Sequence, residues 1–179
     1  MASWERLCSR SCVIVETVTD VSIRLRSQSS GSGPTCRQVL GTLPRWFGIE
    51  HGVEHYVAVA ERSPTVVASV DDQDVGFLTL VRHSPYAAEV YVMGVLPQYH
   101  RHGIGRQLLE HAERSLAADG VEYLQVKTLS ASREDEGYER TRAFYLASGF
   151  RPLEEFSNLW GSENPALQMV KVLRPAPEG

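Results

Sequence analysis

The stretch between residues 89 and 116 joins a strand pattern to a helix pattern through a turn that contains two glycines. It opens with a valine-rich apolar run at 89–95. After Gly103-Ile104-Gly105, apolar residues recur at helical spacing and charged residues occupy the opposite helix face. Two glycines around one residue let a neighbour approach the backbone closely, and the first N–H groups of a helix have no partners within it. The sequence therefore predicts a strand, a tight turn and an amphipathic helix in direct succession.

Basic and titratable side chains surround this turn. His100, Arg101, His102 and Arg106 lie within a few residues of the two glycines. Unpaired N–H groups and the helix dipole favour an anion at a helix N-terminus, and these side chains add positive or protonatable groups there. Two interpretations carry equal weight at this point: a cradle for a phosphate or pyrophosphate, or only a tight connection.

Two common phosphate-binding patterns are excluded. A dinucleotide-binding fingerprint would need a third glycine at position 108, which is Leu, and the sequence contains no Gly-Lys-Ser/Thr of a Walker A loop.

Apolar periodicity predicts the remaining secondary structure. Period-2 β-branched runs indicate strands, and apolar residues three and four apart indicate helices. The predicted order is a strand at 18–25, a Gly/Ser-rich connector at 27–34, helices at 35–47 and 50–62, strands at 65–70, 75–81 and 89–95, the helix after the glycines, a strand at 121–128, a helix at 138–147, and strands at 150–156 and 166–173. The three central strands should form antiparallel hairpins. This order predicts an α+β or mixed α/β fold with one central sheet.

Length and composition limit the class of protein. With 179 residues, 42% of them hydrophobic, the chain suffices for one domain with an apolar core. The balance of 18 Lys and Arg against 22 Asp and Glu leaves a net charge of −4, which argues against a nucleic-acid or anionic-membrane partner. No apolar run approaches the ~18 residues of a membrane span, so we expect a cytoplasmic protein.

The cysteines and histidines indicate no metal site. Cys8, Cys12 and Cys36 are an odd set near the N-terminus, so we expect free thiols rather than disulfides or zinc ligands. No metal-binding spacing with a carboxylate or thiol is found around His51, His55 and His111.

Two motifs, in this order, resemble those of a known family. The segment Gln98-Tyr99-His100-Arg101-His102-Gly103-Ile104-Gly105 is similar to motif A of the GNAT superfamily of acyl-CoA-dependent N-acyltransferases, whose loop reads Arg/Gln-x-x-Gly-x-Gly/Ala. The segment Thr141-Arg142-Ala143-Phe144-Tyr145-Leu146-Ala147-Ser148-Gly149-Phe150 is similar to motif B, in which a helix ending Phe-Tyr-x-x-x-Gly-Phe leads into a strand.

The resemblance covers about residues 35–173 and implies a fold. We expect a single GNAT-like domain at 35–179, preceded by an irregular N-terminal segment at 1–34. Its centre would be a mostly antiparallel, mixed sheet of about seven strands flanked by about four helices.

The resemblance also implies a co-substrate, acyl-CoA and most simply acetyl-CoA. The backbone of Met93, Gly94 and Val95 would pair with the pantetheine amides, as an exposed strand edge pairs with a peptide. At Gly94 the missing side chain would leave room for this arm, or else accommodate packing. The pyrophosphate would bind to the loop, through His100, Arg101, His102, Gly103, Ile104, Gly105 and Arg106.

Two positions depart from the family pattern. His100 stands where motif A usually has Arg or Gln, and Tyr138 stands where motif B usually has Asn. Arg101 is the residue that could replace the first of these contacts.

Tyr145 and Glu89 are the candidates for proton transfer. Tyr145 matches the motif B tyrosine and would protonate the departing CoA thiolate, because a phenol with a pKa of ~10 is protonated at neutral pH. The alternative role of Tyr145 is packing beside Phe144.

Strand alternation places Glu89, Tyr91 and Met93 on one face, where Glu89 would accept the amine proton through a water. The alternative is that Glu89 is a solvated carboxylate.

His83, at the end of the preceding strand, is the second candidate base, although an unpaired surface histidine is the simpler interpretation.

The acceptor pocket is predicted to form from the two early helices, the turn at 83–86 and the segment 154–164. Aromatic residues would line it and an acidic residue would attract a cationic amine; the candidates are Trp46, Phe47, Tyr86, Trp160, Glu50 and Glu54. For each residue alone, core packing or a solvated charge is the simpler role.

The function that the resemblance implies is N-acetyl transfer from acetyl-CoA to a primary amine of a small molecule or peptide. The alternatives are a non-catalytic acyl-CoA sensor or protein-interaction module, and transfer to a protein N-terminus or lysine.

Overall fold

Seven strands and four helices make up the part of the chain that this computed structural model describes, residues 22–44 and 50–173. In chain order they are β1 (Arg24–Gln28), α1 (Gly33–Leu40), α2 (Glu50–Arg62), β2 (Thr65–Val70), β3 (Gln73–Arg82), β4 (Ala87–Val95), α3 (Ile104–Ala118), β5 (Tyr123–Leu129), α4 (Glu136–Ala147), β6 (Arg151–Phe156) and β7 (Ala166–Val172). The strands form one sheet in the order β1-β2-β3-β4-β5-β7-β6. The predicted α+β architecture is confirmed.

The sheet is antiparallel at five of its contacts and parallel between β4 and β5. Parallel neighbours need a crossover connection, and α3 provides it. Its buried stripe is the one that the sequence predicts, namely Ile104, Leu108, Leu109, Ala112 and Leu116.

The helices cover the sheet in two layers. A Cβ atom on Gly94 of β4 would lie 2.9 Å from Val39 of α1, whereas one on Gly76 of β3 would lie 3.4 Å from Ile104 of α3. Gly94 pairs with Phe77, the residue after Gly76, and successive strand residues face opposite sides. Therefore α1 and its neighbour α2 cover one face, and α3 covers the other together with α4, whose Phe144 lies nearest to Gly105. We call these the α1–α2 face and the α3–α4 face.

The first strand and the first helix differ from the prediction. The strand expected at 18–25 is β1, Arg24–Gln28, so the connector expected at 27–34 includes the end of β1 and the start of α1. β1 has no clear apolar period because polar residues occupy much of it. One of them, Arg26, is held by two hydrogen bonds to Asp74, 2.7 and 2.8 Å long. Pro34 suits the first turn of a helix, because no N–H is needed there.

The predicted helix at 35–47 ends earlier, with Leu40 as its last residue and Gly41 as its C-cap. Its last predicted residues, 45–47, lie outside the described part of the chain. The predicted domain boundary at residue 35 falls inside the first turn of α1, and β1 before it is already paired with β2.

Strands β4 and β5 separate in the middle of the sheet. Strands β4 and β5 pair only from Ala87 with Tyr123 to Val90 with Val126. Beyond these residues β4 continues beside β3, and β5 continues beside β7. Residues 91–95 and 127–129 therefore border an opening between the two halves of the sheet, which we call the β4–β5 gap.

A bulge at Tyr91 adjoins this gap. In the ladder between β3 and β4, Thr79 pairs with Val92 and Leu80 pairs with Val90, so Tyr91 is the extra residue. The bulge breaks strict alternation: Glu89 and Tyr91 lie on the α1–α2 face, but Met93 lies on the α3–α4 face. The prediction that these three residues share one face is wrong for Met93.

Gly94 is required by packing against α1. Its hypothetical Cβ would lie 2.9 Å from Val39 Cγ1 and 3.3 Å from both Leu43 Cδ1 and Phe77 Cε1, which are buried core atoms. The missing side chain thus gives room to the helix layer and not to a ligand in the gap.

We expect Gly94→Ala to destabilise the protein by about 1–3 kcal/mol, because overpacked cores respond in this range and the stiff Val39 side chain cannot move aside cheaply. Thermal unfolding measures the effect. Gly52→Ala is the matched control: its Cβ meets nothing within 4 Å, so the helix α2 should gain roughly 0.5 kcal/mol. Equal melting temperatures for the Gly94→Ala variant and wild type would contradict the packing role.

Candidate active site

The edge of β4 presents backbone groups to the β4–β5 gap. Leu96 donates its N–H to the Val75 carbonyl across the ladder, at 2.8 Å. Backbone groups of alternate residues point to opposite sides of a strand, so those of Val95 and Met93 point away from β3 and into the gap. Those of Gly94 point to β3. Of the three predicted backbone contacts, Met93 and Val95 therefore face the gap and Gly94 does not.

The turn that follows β4 has a geometry that only glycine adopts readily. A short 3-10 turn, Pro97–Tyr99, leads to Arg101 with φ 70° and to Gly103 with φ 76°. Gly103 is the N-cap of α3 and has open space around it. Because α3 has neither a side-chain cap nor an acidic residue in its first turn, its N–H groups and dipole favour an anion.

The predicted loop side chains have different surroundings. His100 donates from Nε2 to the Val95 carbonyl at 2.7 Å, and His102 Nδ1 lies 3.0 Å from the His100 carbonyl. Arg101 and Arg106 are exposed at the start of α3, with Arg106 also 3.6 Å from Glu110. Ile104 is buried in the core, so only its backbone faces the turn. The two arginines are the basic groups at this helix end.

Tyr145 lies inside the layer between α4 and the sheet. Its ring makes edge contacts with Phe144 and Phe150, with centroids 5.2 and 5.3 Å apart. Burial raises the pKa of Tyr145, so the phenol is protonated at neutral pH. Both sequence-based interpretations, packing and proton donation, are compatible with this position.

Glu89 is the buried centre of a polar cluster on the α1–α2 face. Lys127 Nζ lies 2.9 and 2.8 Å from its two carboxylate oxygens, His83 Nε2 lies 2.6 Å from Oε2, and Gln125 donates to Oε2 at 3.1 Å. Gln125 in turn accepts from Gln168. The Glu89 side chain is 6% exposed, so it is not a solvated carboxylate. The structure thus brings both predicted bases, Glu89 and His83, into one cluster.

Aromatic residues continue this surface towards α2. The Tyr91 hydroxyl lies 2.6 Å from His55 Nε2, and the Tyr91 and Tyr56 rings are in edge contact at 5.9 Å. Burial, with smaller effects from neighbours that include Glu89, raises the pKa of Tyr56 to about 12. Burial also raises the pKa of Tyr138, the residue at the motif B asparagine position. Two neutral phenols, Tyr56 and Tyr91, therefore lie close to Glu89.

An open cleft lies beyond the end of β5, on the side of β6 and β7. It has a volume of about 530 Å³ and lies between the segment after β5 and the connection from β6 to β7, lined by Ser132, Arg133, Glu155, Ser157, Ser162 and Glu163. Ser130 and Ser132 donate hydrogen bonds to Glu155 and hold the pKa of its carboxyl below the usual value. The cleft includes part of the segment predicted to bind the acceptor.

The other predicted acceptor residues are dispersed. Tyr86 is exposed at the opposite end of β4, where its carbonyl accepts from Glu122 and Tyr123. Trp160 is partly exposed, and Glu54 pairs with Arg37 on the surface. Trp46, Phe47 and the side chain of Glu50 lie outside the described residues.

Sequence reasoning missed Lys127, Gln125 and the pair of Tyr56 and Tyr91. A signal for the first two exists: polar residues alternate with buried ones in the strand Tyr-Leu-Gln-Val-Lys-Thr-Leu. A polar stripe inside a central strand indicates polar contacts on one face.

Within the described ranges, no group of three or more His, Cys, Asp or Glu residues could hold a metal ion. None of the described helices is long and apolar enough to cross a membrane.

Comparisons with known proteins identify the family. The family model described as an acetyltransferase (GNAT) domain matches residues 53–152, more than half of the chain. A comparison with curated protein sequences gives no significant match.

Solved structures share the fold at low sequence identity. A crystal structure assigned to the GNAT family of acetyltransferases, from Desulfovibrio desulfuricans, has a TM-score of 0.75 at 16% identity, over 86% of this chain and 100% of that one. The ribosomal-protein-S18-alanine N-acetyltransferase of Escherichia coli has a TM-score of 0.68 at 20% identity, over 88% and 98%. A GNAT acetyltransferase of Elizabethkingia anophelis, with acetyl-CoA bound, has a TM-score of 0.66 at 16% identity, over 84% and 98%. The chain therefore belongs to the GNAT superfamily of acyl-CoA-dependent N-acyltransferases and is an acyltransferase.

Proposed function

We propose that the protein transfers an acetyl group from acetyl-CoA to a primary amine of a small molecule or peptide, by direct attack in a ternary complex. The β4–β5 gap carries this proposal. Its β4 edge offers backbone groups at Met93 and Val95, and pantetheine has amides that can pair with such an edge. The E. anophelis relative binds acetyl-CoA, which supports this choice of co-substrate.

The pyrophosphate is assigned to the turn at Gly103. The first N–H groups of α3 can donate to phosphate oxygens, and the open space at Gly103 admits them closely. Arg101 and Arg106 would add positive charge. His100 contacts the Val95 carbonyl and is assigned a role in shaping the loop.

Glu89 and Tyr145 are assigned to the two proton transfers. The amine must lose a proton before its nitrogen attacks the thioester carbon, and Glu89 would take it through a water, with His83 as the more exposed partner of the pair. When the carbon–sulfur bond breaks, the CoA thiolate would receive the phenolic proton of Tyr145. The two residues belong to opposite faces of the sheet, so the reacting atoms would lie between them in the gap.

The cleft beside Glu155 is the proposed acceptor site. A carboxylate whose pKa is lowered by two serines stays ionised and attracts a cationic amine. The E. coli relative acts on an alanine of a ribosomal protein, which keeps a peptide amine among the acceptors. A cytoplasmic location stays a prediction.

The proposal is tested with a panel of amines and acetyl-CoA while free thiol is followed. We expect thiol release that depends on particular primary amines. We also expect Gly103→Asp to abolish acetyl-CoA binding in calorimetry, because it adds negative charge and bulk where the pyrophosphate should meet the helix.

Gly120→Asp is the matched control for backbone strain. Gly120 has φ 75°, close to the 76° of Gly103, and likewise has open space around it, but it lies after the far end of α3. Its variant should bind acetyl-CoA normally. Equal affinity of wild type and Gly103→Asp would contradict the phosphate assignment, and binding without thiol release for every amine would favour a sensor.

Glu89→Gln tests the base. We expect unchanged acetyl-CoA affinity and a rate lower by roughly 10²-fold, with the largest loss at low pH, where more of the amine is protonated and needs a base. The pH–rate profile measures this. Glu122→Gln, at an exposed position before β5, should behave as wild type. A profile that Glu89→Gln leaves unchanged would move the role to His83 or to water.

Tyr145→Phe separates the acid from the packing role, because phenylalanine keeps the ring and loses only the hydroxyl. We expect kcat to fall by roughly 10²-fold, the low end for a general acid, since a CoA thiolate is a tolerable leaving group. Melting temperature and CoA affinity should change little. Tyr123→Phe, at an exposed site away from the gap, is the control. A loss in kcat below about threefold, measured where chemistry limits the rate, would leave Tyr145 a packing residue.

A further inference from the structure

The hydroxyl of Thr128 is a buried polar atom that lacks a hydrogen-bond partner. Among the side chains of residues 22–44 and 52–173, Thr128 Oγ1 is the one buried nitrogen or oxygen atom in this condition. Other buried hydroxyls are paired, as Thr65 is with Thr79 at 3.0 Å. Native proteins satisfy nearly all such groups because each orphan weakens the fold, so this exception needs a cause.

Thr128 borders the β4–β5 gap. It lies on β5 two residues beyond Val126, the last β5 residue that pairs with β4. Side chains on a strand alternate, so Thr128 shares its face with the buried Leu124 and Val126, and that face is the one on which α4 packs. Tyr145 lies in the same layer. The orphan hydroxyl is therefore on the side of the gap that holds the proposed acid.

The next residue on this strand shows that the exception is local. The Leu129 carbonyl accepts a hydrogen bond from Arg142 of α4 at 2.9 Å. The Ser130 N–H donates to the Pro165 carbonyl at 2.8 Å, which keeps β5 paired with the chain before β7. The backbone beside Thr128 thus has partners from the protein itself, whereas the hydroxyl between the sheet and α4 has none.

We propose that the Thr128 hydroxyl binds an amide or carbonyl group of the pantetheine arm of acyl-CoA. The inference rests on the proposed function, which places that arm in the gap. A hydroxyl can both donate to a carbonyl and accept from an amide N–H, and pantetheine offers both. Thr128 is 3% exposed, so the arm reaches it by moving apart the side chains that line the gap. Binding then supplies the partner that the free protein lacks.

Thr128→Val tests the inference because it should weaken acetyl-CoA binding without lowering the stability of the free protein. Valine keeps the shape and removes the hydroxyl, so the free protein should melt at the same or a higher temperature. The Kd for acetyl-CoA and for CoA should rise by about 3–10-fold, as expected for one lost hydrogen bond. Thr128→Ser, which keeps the hydroxyl, should restore most of the affinity. Adenosine 3′,5′-bisphosphate, which lacks the arm, should bind wild type and Thr128→Val equally.

Thr79→Val is the matched control, because it also removes a buried threonine hydroxyl but one that has a protein partner in Thr65. It should lower the melting temperature by about 2–4 °C and leave acetyl-CoA affinity unchanged.

Three results would overturn the inference. The first is a Thr128→Val variant with wild-type acetyl-CoA affinity, and with a lowered melting temperature this would assign the hydroxyl to a buried water. The second is equal weakening of acetyl-CoA and of the bisphosphate. The third is a wild type that binds none of the probes, which would remove the proposed function itself, whereas the first two leave that function standing.

Discussion

The parting of β4 and β5 is the constraint on which the rest of the structure depends. A sheet that separates in its interior leaves backbone N–H and C=O groups without ladder partners, and such groups are costly unless something satisfies them. Here the parting begins after Val90 and Val126, while both flanking ladders continue, so each half of the sheet is complete except at this edge. The molecule therefore retains an unpaired edge at the end of β4 that leads to α3, opposite the unpaired end of β5. A strand edge of this kind pairs with extended ligands that carry amides.

The bulge at Tyr91 determines what each side of that opening contains. Without it, Met93 would follow Glu89 onto the α1–α2 face; with it, Glu89 and Tyr91 face α2 and Met93 faces the opposite layer. One inserted residue thus places the ion-paired Glu89 and Met93 on opposite faces of the sheet. In the proposed reaction the amine loses its proton to Glu89 on the α1–α2 face, and the thiolate gains a proton from Tyr145 on the α3–α4 face. The base and the acid are therefore separate groups on opposite sides of the sheet.

Sequence reasoning predicted what local patterns encode and missed what only contacts create. Helix α2 and strand β2 were predicted with the bounds that the structure has, because their apolar periods are clear and their ends carry turn residues. The connector at 27–34 was misread because Ser and Gly dominate its composition, although β1 and α1 share it. No local pattern reveals the bulge, since one added residue leaves the run valine-rich on both sides. The partners of Glu89 come from β5 and the turn before β4, as many as 38 positions away in sequence, and strand order alone could not pair them.

His100, which stands where motif A usually has Arg or Gln, already occupies one backbone group of β4. Val95 must accept in its contact with His100, because a carbonyl has no proton, so one of the gap-facing carbonyls is already bonded to a side chain. The Val95 N–H and both backbone groups of Met93 remain directed into the gap. A strand-like ligand would then pair with β4 up to Val95 and turn away there, towards the N-terminus of α3, where Arg101 and Arg106 lie. In this chain the imidazole would end the pairing with pantetheine, and the charge for the pyrophosphate would come from the two arginines.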